Sequence, residues 1–354
     1  MRWIRAAAEN RRTDISGQTQ VGVRWSRLRA VITAAALATG LTALAALPTT
    51  AAADETRQAR QVAYVSNLTE GTVSAIDVAT NTTIATIPVG NGPRGVAASP
   101  GGTRVYVPNS TSGTVSVINT ATNGVIAVIP VGTAPFDVAV TPGGTRAYVT
   151  NNGSNTVSVI NTATNTVIAT IPVGAQPFGV AVTPGGTRAY VTNSGDGTVS
   201  VINTAANTVI ATIPVGAEPT GVGVSPGGTR AYVTNQADGT VSVINTATNT
   251  VITTIPVGTT PSDVAFSPNG TRAYVTNRAD GTVSVINTAT NTVITTIPID
   301  GAASGVSVTL GGTRAYVANP GDGTVSVINT ATNTVAATLT VGVLPTDVAI
   351  ANVP

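Results

Sequence analysis

The chain has seven tyrosines, Tyr64, Tyr106, Tyr148, Tyr190, Tyr232, Tyr274 and Tyr316, each 42 residues from the next. A period held this strictly makes the chain one unit copied seven times, which restricts it to architectures assembled from like parts. A typical copy, residues 179–220, reads GVAVTPGGTRAYVTNSGDGTVSVINTAANTVIATIPVGAEPT. Four short runs in it, VAVT, RAYVTN, TVSVIN and TVIATIPV, are rich in the residues that suit a pleated, half-buried surface. Turn chemistry separates them: PGG, then an Asn with an Asp-Gly segment, then NTATN. No stretch after residue 53 carries a helical period. Four antiparallel strands per 42-residue copy define the blade of a β-propeller; a shorter-period solenoid would not fit four strands and three tight turns into each unit.

The prolines give an independent check on strand order. Pro88, Pro130, Pro172, Pro214, Pro256 and Pro298 all fall in the fourth run, where each removes a ladder hydrogen bond. Only an edge strand tolerates that, so the fourth strand is predicted at the rim and VAVT at the axis. Residues 61–354 number 294, which is seven times 42. The first copy begins in its second strand (VAYVSN) and the chain ends on an unmatched first strand, DVAIA. That last strand is expected to complete the first blade, shutting an all-β, seven-bladed ring with both ends on one face.

The recurring YVTN (Tyr148–Asn151, Tyr190–Asn193, Tyr232–Asn235, Tyr274–Asn277), with TVSVINTATNTVIATIPVG and PGGTRAYV, resembles the YVTN family of β-propeller repeats. That family is similar to the propeller domains of archaeal surface-layer proteins and to exported bacterial propellers. The resemblance covers nearly all of residues 61–354 and departs at Ser66, Pro108 and Ala318, and at Leu310 and Thr340 where proline is usual. It implies an exported, usually non-catalytic propeller and transfers no catalytic residue.

Residues 1–53 read as a signal peptide. The n-region, 1–29, holds seven Arg; residues 30–47 are an uncharged Ala/Leu run; an A-x-A site at Ala51–Ala53 places cleavage near 53/54, followed by a linker over 54–60. An uncleaved membrane anchor is the alternative, since 18 apolar residues reach the lower limit for a span. Cleavage would leave 301 residues with 10 Arg and 13 acids, so the basic pI belongs to the leader.

The chain has no Cys, His or Lys. Disulfides, cysteine or histidine zinc sites, cysteine or lysine nucleophiles and an imidazole base are therefore excluded. Chemistry is left to Asp, Glu, Tyr, Arg and hydroxyls.

Comparing the copies separates two faces. Turns one-to-two and three-to-four, on the bottom, are almost constant as PGGTR and NTATNT; the loops on the top vary. Ten of the 13 acids after residue 53 map to top loops, joined only by Arg94 and Arg278. The bottom carries a basic ring, Arg104, Arg146, Arg188, Arg230, Arg272 and Arg314, against Asp77. Such polarisation can steer charged partners, although Asp-Gly is also turn chemistry and an Arg stem also packs along a strand.

Asp137, Asp263 and Asp347 share one repeat position, before the innermost strand, where other copies have Gly95, Gly179, Gly221 and Gly305. They are expected to ring the top mouth of the axial channel, where converging carboxylates suit a hard cation such as Ca²⁺. Their glycine-rich turns lead us to expect little apolar surround to shift their pKa. Phe136 and Phe178, equivalent in adjacent copies, are expected to wedge between blades, or else to form an exposed apolar patch. Glu218, Asp300 and Arg94 complete the candidate top-face binding set.

The expected function is a non-catalytic scaffold, secreted or held at the cell surface or periplasm, that binds a protein or envelope component through its variable acidic top. The alternatives are a metal-assisted, lactonase-like hydrolase at the channel mouth and a surface-layer subunit tiled top to bottom. Nucleic-acid binding by the Arg ring ranks last, because no aromatics interleave for stacking. A monomer is expected, with self-assembly the alternative, and membrane contact only if the leader is retained.

Overall fold

The computed structural model describes residues 60–354; the expected signal peptide, its expected cleavage point and most of the expected linker lie outside them. All regular elements of the described residues are β-strands, grouped as seven four-stranded antiparallel sheets. A representative blade, the fourth, runs Pro177–Val182, Arg188–Asn193, Thr198–Asn203 and Thr208–Pro214, in that spatial order. The innermost strands shorten to Ala97–Ala98 in the second blade and Val306–Val308 in the seventh. The protein is a seven-bladed β-propeller.

Burial follows from the pleat. The two middle strands of each blade are buried on both faces and read iBBBB, whereas the outermost alternates exposed and half-buried positions until its last Ile. Every outermost strand also carries a register irregularity against its neighbour. In the fourth blade Val201 pairs with Ala211 and Ile202 with Val209, which leaves Ile210 unpaired and 48% exposed. A bulge of this kind twists a free edge away from further pairing, and the proline ending six of the seven edges removes a donor.

The apolar core is divided among the joints between blades. Seven clusters of buried residues each draw on two neighbouring blades; Tyr148, Val157 and Val159 of the third, for example, meet Val180, Ala189, Val191 and Ile202 of the fourth. The seventh cluster sets Tyr316, Val325 and Val327 against Ala63, Val65 and Ile76, so the last joint is as apolar as the others. Closure is made by Pro345–Val353, which lies antiparallel on Arg60–Asn67 from Arg60 opposite Val353 to Asn67 opposite Pro345. Arg60 and Val353 therefore leave the sheet on the same, bottom face.

The motif residues explain themselves at these joints. Arg230 donates through Nη1 to the Thr288 carbonyl (2.8 Å) and Asn291 Oδ1 (3.2 Å) of the next blade, and the Tyr232 hydroxyl donates to the same Oδ1. Asn291 has φ +55°, a conformation that asparagine tolerates better than most residues. The same Arg-to-Asn latch recurs from Arg104, Arg146, Arg188, Arg272 and Arg314. At the top end, Thr192 Oγ1 donates to the Thr220 carbonyl of the next blade, while buried Asn193 donates to Thr198 and Ser200. The Thr of the repeated tetrapeptide thus ties neighbouring blades, its Asn ties the two middle strands of its own blade, and its Tyr joins the latch except at Tyr274, whose hydroxyl has no partner among the described residues.

Candidate binding site at the channel mouth

Around the top of the axis the strand entries build a floor. Asp137, Asp263 and Asp347 occupy three of its seven positions, and the four glycines occupy the rest. Each aspartate accepts one amide from its own blade and one from the next. Asp137 takes Val138 N (2.7 Å) and Val180 N (2.8 Å); Asp263 takes Val264 N (2.8 Å) and Val306 N (3.0 Å); Asp347 takes Val348 N (2.8 Å) and Val96 N (2.9 Å). The glycines are sterically required between them. A Cβ on Gly95 would lie 2.8 Å from the Asp137 Cα, one on Gly221 2.7 Å from the Asp263 Cα, and one on Gly305 2.6 Å from the Asp347 Cα. An aspartate therefore needs a glycine in the blade before it, and three is the most that a ring of seven can hold without two becoming adjacent.

The expectation of unshifted carboxyls fails here. Burial pushes Asp137 up to about 7 against the pull of its two amide donors, with the negative charge of Asp263 adding to the rise. Asp263 is raised by burial, and Asp347 is raised well above its ordinary value, by burial and by the charges of Asp263 and Asp137. The turns are glycine-rich, but seven blades converge on them, and ring closure removes the water that an isolated turn would keep.

Above the floor stands an asymmetric wall. Arg94, Phe136 and Phe178 come from three consecutive blades on one side, with Ser262, Ser304 and Thr346 on the other. The two phenyl rings meet at a tilt of 39° with centroids 3.7 Å apart, and the Arg94 guanidinium lies 4.8 Å above the Phe136 ring. The rings therefore face the cavity instead of wedging into a joint. Leu68, Leu344, Pro320, Gln236 and Arg278 form the rim of this cavity of about 150 Å³. Arg278 is close enough for its charge, second to burial, to lower the pKa of Arg94. The sequence placed Arg94 in the site but gave Arg278 only a share of the face's charge; its signal was that it is the sole cation in any loop joining second to third strands.

The remaining candidates stand apart. Glu218 and Asp300 are exposed on the same face, outside the cavity lining. Asp196, Asp238 and Asp280 accept the Ala175, Ala217 and Thr259 amides of neighbouring loops, so those Asp-Gly acids act as loop staples. The six bottom Arg are half-buried in their latches. For calcium, the three floor aspartates each already accept two backbone amides, and among the described residues no three His, Cys, Asp or Glu are placed to hold a metal ion.

No family model matches the sequence, and no curated protein matches it. The structure is similar to many solved ones. Hydrazine synthase of Kuenenia stuttgartiensis matches with a TM-score of 0.69 at 22% identity over 76% of this chain and 92% of that one. A protein of unknown function from Desulfotomaculum acetoxidans matches with a TM-score of 0.75 at 18% identity over 83% and 99%. A candidate 6-phosphogluconolactonase from Bacteroides uniformis matches with a TM-score of 0.71 at 17% identity over 83% and 100%. At these identities the likeness is one of fold, and neighbours of such varied function assign none to this chain.

Proposed function

We propose that the chain is an exported YVTN-type propeller that works as a non-catalytic binding scaffold, engaging a protein or envelope component through its top face. The observation that supports this reading is the division of labour within a near-identical repeat. The constant bottom turns are consumed by the inter-blade latches, whereas the varied top loops surround an open cavity and leave Glu218 and Asp300 exposed. Binding residues commonly sit on loops held by a rigid scaffold. Immobilised full chain should retain an envelope component that a Glu218→Gln, Asp300→Asn variant of unchanged melting temperature does not. Equal retention by both would sink the reading.

One observation favours a second reading, a lactonase-like hydrolase: the Asp137 carboxyl near neutrality beside a cavity. Against it, each Asp137 oxygen already accepts a backbone amide, which lowers its basicity. Lactone turnover that disappears in Asp137→Asn would establish the hydrolase instead.

A further inference from the structure

The cavity wall carries two guanidinium groups, neither of them in an ion pair. The only ion pair among the described residues is Arg60 with Asp77, on the opposite face. Arg94 and Arg278 lie near enough to repel each other, and the Arg94 Nε is buried with no hydrogen-bond partner. The floor aspartates line the same cavity but form no ion pair with either Arg, and each carboxylate accepts two backbone amides. A buried donor left without an acceptor is costly, and two like charges at one cavity favour an anionic acceptor over a neutral one. Beside the guanidiniums, the phenyl rings of Phe136 and Phe178, tilted 39° to each other, and Leu68 offer an apolar wall.

We propose that the channel mouth binds a small free carboxylate with a flat apolar body, of the benzoate class, with its carboxylate between Arg94 and Arg278 and its ring against Phe178. Size supports the choice: about 150 Å³ is the volume of an engineered cavity that accepts benzene. A free molecule fills such a space, and a chain end is tested beside it as the alternative occupant. The proposal does not depend on a macromolecular partner, because the small molecule is tested alone.

The test is calorimetric titration of the full chain with benzoate, benzamide, acetate and a short peptide ending in phenylalanine. Benzoate should bind at least ~10-fold more tightly than benzamide, which keeps the ring and loses the charge, and than acetate, which keeps the charge and loses the ring. Arg94→Gln and Arg278→Gln should each weaken benzoate by ~10-fold or more, with the benzamide signal and the melting temperature unchanged. Failure to bind benzoate, equal binding of benzoate and benzamide, or indifference to both substitutions would overturn the proposal. So would a peptide that binds more tightly than benzoate, which would make the site a reader of chain termini.

Discussion

At the scale of single residues, the floor of the channel shows a charge placed where the fold resists it. Asp137 has a folded-state pKa of about 7 against an ordinary 3.8, because the assembled blades strip its water. Its pKa is raised, so the folded chain holds more protons than the unfolded one between those values, and stability falls as pH rises through that window. The melting temperature should climb as pH is lowered from about 8 to about 5, and Asp137→Asn should flatten part of the slope. A melting temperature independent of pH in wild type would contradict the burial argument. The glycines give a second expectation. Gly305→Ala puts a Cβ 2.6 Å from the Asp347 Cα, and backbone against backbone cannot yield, so a loss of about 1–3 kcal/mol in denaturant unfolding is expected. The sequence showed that aspartate and glycine exchange at this position; it could not show why they alternate, because the excluded volume lies between residues 42 apart.

At the scale of elements, the joint is the unit of stability. Arg188 donates to the Thr246 carbonyl and Asn249 Oδ1 of the next blade, Tyr190 donates to the same Oδ1, and Asn249 holds φ +54°. Asn249→Ala should therefore cost more than Arg188→Ala, about 1–3 kcal/mol by urea unfolding, because it removes the shared acceptor and strains the turn. Equal and negligible effects would mean that the latch is decorative. The constancy of PGGTR and NTATNT was plain in the sequence and was given there to a basic surface ring. Only the carbonyl partner of each Arg, 58 residues ahead in five and back at Val78 for Arg314, reveals a joint instead, and local spacing carries no trace of it. The rim was more legible, since proline in a strand states a ladder position directly.

At the scale of the molecule, everything depends on closure. Pro345–Val353 covers the edge of Arg60–Asn67 and completes the apolar joint with the seventh blade. Removing residues 345–354 should strip that edge, and the shortened chain should self-associate or precipitate in size-exclusion chromatography while the full chain runs as one species. A monomeric, equally stable truncation would show that the ring does not need its clasp. The sequence by itself determined the repeat, the strand order within a blade, the number of blades and the need for a closing strand. These follow from period, pattern and turn chemistry, which are local and repeated seven times. Only the tertiary structure decided the character of the mouth, where Arg94, Phe136, Phe178 and Arg278 meet from four different blades and carboxyls lose their water. Desolvation and stacking are set by what converges on a residue in space, and the order of residues along one chain does not record that.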